Sequence, residues 1–444
     1  MTPPDSLVAS SAPETPAFRS TDHSGVSRPL LVLGAGSRPY REDSLRGLAA
    51  RHQVVLADVE LPHWTRPFVR GHLTVDLSDS ETALTAVKEF AARTPGLAGV
   101  CTYMEHHVLL AARIAEQLGL PGPSPAAMAA CRDKAATRRL LAKRDVPSAR
   151  SVQAADEDAA VEHARLIGYP VVVKPRGMAG SAGVLRADSD SEVRAAFLHA
   201  AQETVLGLDA YAEPGVLVEE YLDGEEISAE TVVVGDDVRI VAITRKRLGN
   251  EPRFQELGHL VDGADPLLGD SAVTETVTRA VRALRIKRGV LHVELRRTGR
   301  GPAVVELNGR PGGDLIPVLV HAATGVDLMA AVADLASGTV PDLTPTRARA
   351  AAVRFLLPAF SGRVGAVSVP ADLRDQPWLE RLVWTRHLGE RVTAPPLATI
   401  EDRLGHWVVT GDTAEECEER LAEVLVRVFA PITGTAVHTT ACSR

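Results

Sequence analysis

The sequence predicts an α/β protein that changes character along its length. A doubly wound parallel α/β unit comes first, and α+β organisation follows in the middle and at the end. Three observations carry this. Short apolar runs alternate with helical stretches between residues 30 and 118. Hairpin signals replace that alternation in the middle of the chain. The C-terminal part again mixes strands with a helix. A chain of 444 residues fits about three domains at roughly 150 residues each.

Residues 1–27 are rich in Ser, Thr and Pro and lack sustained periodicity, so a disordered tail is expected there. Leu30-Leu31-Val32-Leu33, Val54-Val55-Leu56-Ala57-Asp58 and Gly99-Val100-Cys101-Thr102-Tyr103 read as buried strands. The helical stretches near 43–51, 80–93 and 105–118 lie between and after them. Buried strands alternating with helices give a parallel sheet, and this domain is assigned to 28–130. Residues 131–340 form the central part, with turns at Gly235-Asp236-Asp237 and Gly299-Arg300-Gly301. Residues 341–444 carry strands at 351–357 and 404–410 and a helix at 413–429.

Composition narrows the function classes. Hydrophobic residues make up 45% and charged residues 24% of the chain, which excludes a mostly disordered protein. No apolar run is long enough to span a membrane, and a cytoplasmic protein is expected. The net charge, 49 − 57 = −8, argues against a nucleic-acid partner. Cys101, Cys131, Cys417 and Cys442 are scattered, without metal-type spacing. Only Lys88, Lys134, Lys143, Lys174, Lys246 and Lys287 are lysines among the 49 basic residues, so each lysine is informative.

Two early motifs read as structural. Gly34-Ala35-Gly36 has Pro39 where a dinucleotide fingerprint needs its third glycine, and a tight strand-to-helix turn suffices. Glu105-His106-His107 reads as a polar helix start, because adjacent helical side chains do not converge.

Chemistry concentrates later. Val171-Val172-Val173-Lys174-Pro175 delivers a lysine before the glycine-rich loop 176–183. Such a loop can turn its N–H groups onto phosphate oxygens, and it is equally compatible with a plain hairpin. Val216 to Leu222 is an apolar strand ending in Glu219-Glu220-Tyr221; its carboxylates could accept from an adenine amino group or from ribose hydroxyls, or form a solvated acidic turn. Val290 to Leu295 and Ala303 to Asn308 flank the Gly-Arg-Gly turn. A hairpin symmetric about Arg300 sets Glu294 opposite Glu306, with Asn308 on the same face. Like charges so placed repel, and an oxygen-rich cluster suits Mg²⁺. Arg310 follows two residues on, placed to neutralise charge on a transferred phosphoryl group or to lie at the surface. Asp314 either lines a pocket for a polar substrate or caps a helix starting at Leu315-Ile316.

In this order the segments resemble the ATP-grasp superfamily, and within it the carboxylate–amine ligases of the L-amino-acid ligase type. The likeness runs from about Leu31 to Gly411. It implies a three-part ATP-grasp fold: an N-terminal α/β domain, a central nucleotide clamp and a C-terminal α+β domain. Cys131-Arg132-Asp133-Lys134, Thr137-Arg138 and Val146-Pro147 match the segment that opens the clamp. By resemblance, Lys134 and Lys174 are nucleotide-binding lysines. Gly180, Ser181, Ala182 and Gly183 belong to a mobile phosphate cover. Glu219, Glu220, Tyr221 and Leu222 match the adenine hinge, and Glu226 the ribose-binding acid. Glu294, Glu306 and Asn308 match the Mg²⁺ ligands, where Mn²⁺ could substitute. Arg310 matches the arginine that steadies phosphate and substrate carboxylate. Phe254 to His259 looks like a substrate-side motif that lacks its usual following proline, which adds Glu256 and His259 to Arg310 and Asp314 on the substrate side, with His259 and Arg310 as catalytic groups. Val353 to Leu356, Gly362-Arg363-Val364, Arg403-Leu404-Gly405 and Thr410-Gly411-Asp412 resemble the last domain of amino-acid ligases. The resemblance implies ATP and Mg²⁺, an amino acid or other carboxylate with an amine partner, an acyl phosphate and a dipeptide-like amide. It leaves a homodimer open. An ATP-dependent carboxylase using bicarbonate and a non-catalytic nucleotide-binding protein are the alternative readings.

Overall fold

The computed structural model describes residues 28–94, 96–203, 215–249 and 251–433. The tail expected at 1–27 and Cys442 lie outside the described residues. Cys101, Cys131 and Cys417 are buried free thiols.

The N-terminal unit comprises β1 (Leu30–Leu33), α1 (Arg38–Arg51), β2 (Val54–Asp58), β3 (Val69–Thr74), α2 (Ser80–Arg93), β4 (Gly99–Cys101) and α3 (Val108–Gln117). Its sheet order is β3-β2-β1-β4, with every pairing parallel. That is why β1 is apolar on both faces: helices cover both. Helix α1 starts five residues before the expected position 43. Pro39 sits in its first turn, where a missing N–H costs no hydrogen bond.

Helices α4 (Pro125–Arg132) and α5 (Lys134–Ala142) lead into the clamp; Asp133 ends the first and caps the second. One half of the clamp holds β5 (Ser151–Ala154), α6 (Glu157–Ile167), β6 (Val171–Pro175), β7 (Leu185–Ala187), α7 (Asp190–Gln202) and β8 (Val216–Glu220). Its antiparallel sheet runs β5-β8-β6-β7, with both helices packed on its apolar side.

The remaining elements are β9 (Glu225–Val234), β10 (Asp237–Leu248), β11 (Glu256–Asp262), α8 (Ser271–Ala283), β12 (Arg288–Thr298), β13 (Gly301–Asn308), α9 (Ile316–Thr324), α10 (Leu328–Ala336), β14 (Ala350–Leu356), β15 (Gly362–Val364), α11 (Ala371–Arg374), β16 (Leu379–Trp384), β17 (Arg391–Val392), β18 (Gly405–Gly411), α12 (Ala414–Arg427) and β19 (Ile432–Thr433). Eight of the strands form one antiparallel sheet, β13-β12-β9-β10-β11-β14-β18-β16. Its β11–β14 pairing crosses the boundary placed at 340/341, so the second clamp half and the C-terminal part share a continuous sheet.

Helices α9 and α10 lie between this sheet and the N-terminal unit. Leu319, Val320 and Met329 share a core with Leu30 and Leu45 on one side and Val232 and Val353 on the other. No single helix among the described residues is long and apolar enough to cross a membrane. Helices α9 and α10 are apolar because both of their sides are covered by protein.

The β12–β13 hairpin corrects one detail of the sequence reading. Near the turn Thr298 pairs with Gly301 and Leu295 with Val304, so the loop is the two residues Gly299-Arg300 rather than one centred on Arg300. A bulge between Glu294 and Leu295 leaves Val305 as the extra residue and restores the expected register beyond it. Glu294 therefore faces Glu306, and His292 faces Asn308.

Candidate active site

A cavity of about 350 Å³ opens between the two clamp halves and the N-terminal unit. All the sequence-predicted site residues line it except Gly183. Gly183 is structural: its φ is +70°, and a Cβ there would lie 2.7 Å from Pro175 Cγ. The loop it closes joins β6 to β7 as a hairpin, and its residues Met178 to Ala182 overhang the cavity. The plain-hairpin and cavity-cover readings thus describe one object.

At one end Ala149, Val172, Leu222 and Val305 give the cavity apolar lining, suited to a flat base. Beside them Glu219 is 3% exposed. Its carboxylate accepts from Arg138 Nε at 2.8 Å and Nη2 at 2.9 Å, and Lys174 Nζ lies 2.6 Å away. Burial raises its pKa, but the Arg138 and Lys174 charges outweigh that and hold it at about 2. This carboxylate is committed to the protein, which corrects its reading as an acceptor for the base. Arg138 also donates to the carbonyls of Val304 and Val305, at 3.2 and 2.8 Å, and so ties β8 to β13 across the clamp. Glu220 pairs with Arg150 and Arg300, and the Tyr221 hydroxyl donates to Glu251 at 2.6 Å.

Glu294 and Glu306 face each other farther in. The sequence reading asked for a cation here, and the chain itself supplies several. Lys134 Nζ lies 3.1 Å from Glu306 and donates to the Met178 carbonyl. Lys246, buried in β10, reaches three carboxylates: Glu256 at 2.7 Å, Glu294 at 2.9 Å and Glu226 at 3.3 Å. Burial lowers its pKa, but these three anions raise it well above the ordinary lysine value. His292 bridges Glu230 Oε1 at 3.0 Å and Glu294 at 3.1 Å. Burial opposes its protonation, yet Glu230 and Glu294 push its pKa up to about 9.

Glu226 also binds Arg296, at 3.1 Å. Asn308 donates Nδ2 to the His292 carbonyl at 3.4 Å, which leaves its oxygen for the cavity. Glu294, Glu306 and Asn308 present only oxygen donors, a set that fits Mg²⁺.

Lys246, His292, Glu230 and Arg138 received no site role from the sequence. The scarcity of lysine was the available signal for Lys246. His292 sits two residues before Glu294, on the same strand face.

The other end is built around Arg310. Its Nε forms an ion pair with Glu105 Oε2 at 2.6 Å, and Glu105 Oε1 accepts a hydrogen bond from Arg132 at 3.0 Å. Glu105 does start a helix, as expected, but it is buried rather than solvated. Burial raises its pKa, and Arg310 and Arg132 pull it down to about 2.

Glu256, His259 and Asp314 converge here, with ligand atoms within 4.8 Å of one another. His259 is 2% exposed, and neither ring nitrogen has a hydrogen-bond partner. Asp314 is not a helix cap. Leu315 occupies that position, with φ +67° and no side-chain cap bond. Asp314 instead accepts from Arg403 at 2.8 Å. The pocket reading of Asp314 holds for its location, but its charge is already matched by Arg403.

Sequence comparison agrees with this architecture in three places. Residues 49–122 match the ATP-grasp N-terminal domain, 167–318 the ATP-grasp domain and 354–428 the L-amino acid ligase C-terminal domain 2. The chain belongs to the ATP-grasp superfamily. It is 27% identical over 368 residues to carnosine synthase 1 of Homo sapiens, covering 78% of this chain and 44% of that protein. It is 29% identical over 336 residues to phosphoribosylamine–glycine ligase of Streptomyces coelicolor, covering 70% and 76%. The chain spans about half the length of several curated relatives it matches, that carnosine synthase among them. An L-amino acid ligase from Bacillus licheniformis has a similar fold, with a TM-score of 0.77 and 22% identity over 92% of this chain and 99% of that one.

Proposed function

We propose that this protein is an ATP-dependent carboxylate–amine ligase. The observation that carries the reading is the facing pair Glu294 and Glu306, with Asn308 beside them, in one cavity with an apolar slot at one end and Arg310 at the other. Adenine occupies the slot in this reading, and the triphosphate runs under Met178–Ala182 toward Lys134. Glu294, Glu306 and Asn308 would hold Mg²⁺, or Mn²⁺ in its place. When bound, the metal offsets the charge of the triphosphate oxygens.

A substrate carboxylate steadied by Arg310 attacks the γ-phosphorus. The P–O bond to ADP breaks and an acyl phosphate forms. The cavity cover keeps water from it. An amine then attacks the acyl carbon, the C–O bond to phosphate breaks and an amide forms. His259, with both ring nitrogens unpartnered, is assigned to take the proton that the amine loses.

The match of residues 354–428 to an L-amino acid ligase domain supports this reading over a carboxylase using bicarbonate. Phosphate release from MgATP, measured across pairs of amino acids and amines with product mass by mass spectrometry, tests it. The expected product is an amide with one ADP and one phosphate per bond. A bicarbonate-dependent carboxylated product, or no release with any pair, would overturn it.

A further inference from the structure

Arg41 stands apart from the other basic groups that line the cavity. Lys134, Arg138, Lys174, Arg296 and Arg310 each hold a carboxylate. The Arg41 side chain has no ion pair and no hydrogen bond among the described residues; its guanidinium lies 5.8 Å from the centre of the Tyr103 ring. It reaches the cavity from α1. The turn Gly34-Ala35-Gly36, which the proposed function leaves unused, makes that reach possible. Gly36 has φ +70°, and a Cβ there would lie 2.9 Å from both Arg41 Cγ and Met104 Sδ. The glycine clears the path of the arginine side chain.

The surroundings of Arg41 define what it lacks. Burial and the neighbouring Arg310 pull its pKa down to about 10, against weaker opposition from Tyr103, Asp314 and Glu105. Arg310 already has Glu105, and Asp314 already has Arg403. A half-buried guanidinium left without an ion pair beside another calls for an anion. Arg310, Asp314 and Glu105, all at the substrate end of the cavity, are among the charged groups that act on Arg41.

Taking the ligase reading as given, we infer that Arg41 is a specificity residue. It binds a substrate carboxylate that is not phosphorylated, so the amine substrate is an amino acid with its carboxylate free. The carboxylate to be activated falls to Arg310, two residues beyond Asn308. The free one is held by the planar fork of Arg41, which suits two-point binding of a carboxylate.

The test uses the full chain, the twenty proteinogenic L-amino acids and their amides. With the pair giving most phosphate release, Arg41→Met should raise KM for the amine amino acid about 10- to 100-fold and leave KM for ATP within about twofold. The wild type should discriminate against the amino-acid amide as acceptor, and the variant should lose that discrimination. Arg41→Lys, which keeps the charge without the fork, should fall between the two. A rise in KM for ATP alone would assign Arg41 to a phosphate and overturn the inference. Equal use of acid and amide by the wild type would overturn it as well.

A second readout does not need turnover. Free amino acids should raise the melting temperature of the wild type more than that of Arg41→Met, and amides should act on both alike. Equal shifts, or none in the wild type, would overturn the Arg41 assignment. Absence of phosphate release with every pair would count instead against the ligase reading.

Discussion

The two ends of the cavity treat charge differently. At the nucleotide end the carboxylates have cations from the chain itself: Glu219 has Arg138 and Lys174, Glu306 has Lys134, and Glu226 and Glu294 share Lys246. At the substrate end the Arg41 side chain has no ion-pair partner among the described residues, and neither ring nitrogen of His259 has a hydrogen-bond partner. The nucleotide end is therefore assembled before any ligand arrives, whereas the substrate end carries binding capacity that only a ligand can use. Internal ion pairs hold the first in place, since a buried charge without its partner is strongly destabilising.

The largest expected effect strikes the facing carboxylates. Glu306→Ala should lower amide formation about 10²- to 10³-fold or more, measured as phosphate release at saturating Mg²⁺. Relief of repulsion with Glu294, taken alone, would stabilise the variant. The structure argues otherwise, because Lys134 and Lys246 already offset the two charges. Circular dichroism should stay close to wild type, while the melting temperature should fall, because buried Lys134 loses its carboxylate. An active variant would end the assignment of Glu306 as a metal ligand.

Next in size is the tie across the clamp. Arg138→Met leaves Glu219 with Lys174 alone and releases the carbonyls of Val304 and Val305. A loss of about 3–5 kcal/mol is expected, read by urea denaturation. A loss below 1 kcal/mol would mean that the two clamp halves hold together without it; this is an order-of-magnitude threshold of about the size of an exposed ion pair.

Acid should attack the same node. The Glu219 pKa in the folded protein is about 2, below its ordinary value of 4.5. A depressed carboxylate contributes stability that is complete above the unfolded pKa and is lost as pH falls toward the folded one. Melting temperatures should hold from neutral pH down to about 5 and fall steeply between 4.5 and 2. Glu105, also held at about 2, contributes in the same window. Glu219→Gln should flatten part of that fall, and an unchanged profile would show that the node adds nothing to acid stability.

The smallest effect separates binding from framework. Lys174→Met leaves Glu219 its two bonds to Arg138, so stability should change little. ATP affinity by calorimetry should fall about tenfold if the ammonium reaches a phosphate. Unchanged affinity would make Lys174 a structural partner of Glu219 and confine nucleotide binding to the remaining groups.

Much of this molecule is legible in the chain because the signals are local. The parallel N-terminal sheet follows from runs such as Leu30-Leu31-Val32-Leu33, each within one strand. Glu294 and Glu306 could be set face to face because a tight turn joins their strands and alternation fixes their faces. The register there was right although the turn was misplaced by half a residue, because the bulge at Val305 compensates. A bulge has no clear mark in a sequence of small apolar residues. Asp314 was ambiguous for a similar reason: an aspartate before an apolar run reads as a cap, and only the left-handed backbone at Leu315 removes it from that place.

What the sequence determined by itself was the identity and order of the anionic groups and the elements that bear them. What only the tertiary structure decided was which cation meets which anion. Arg138 and Glu219 are 81 residues apart, and the Arg403–Asp314 pair spans 89. Lys246 gathers acids from β9, β11 and β12, strands brought together only by the sheet. Charge acts through space and burial sets its strength. The electrostatic state of each carboxylate is thus fixed when distant elements pack, and Arg41 is set apart by that same packing, which gives the other cavity cations their partners and leaves this one facing the substrate end.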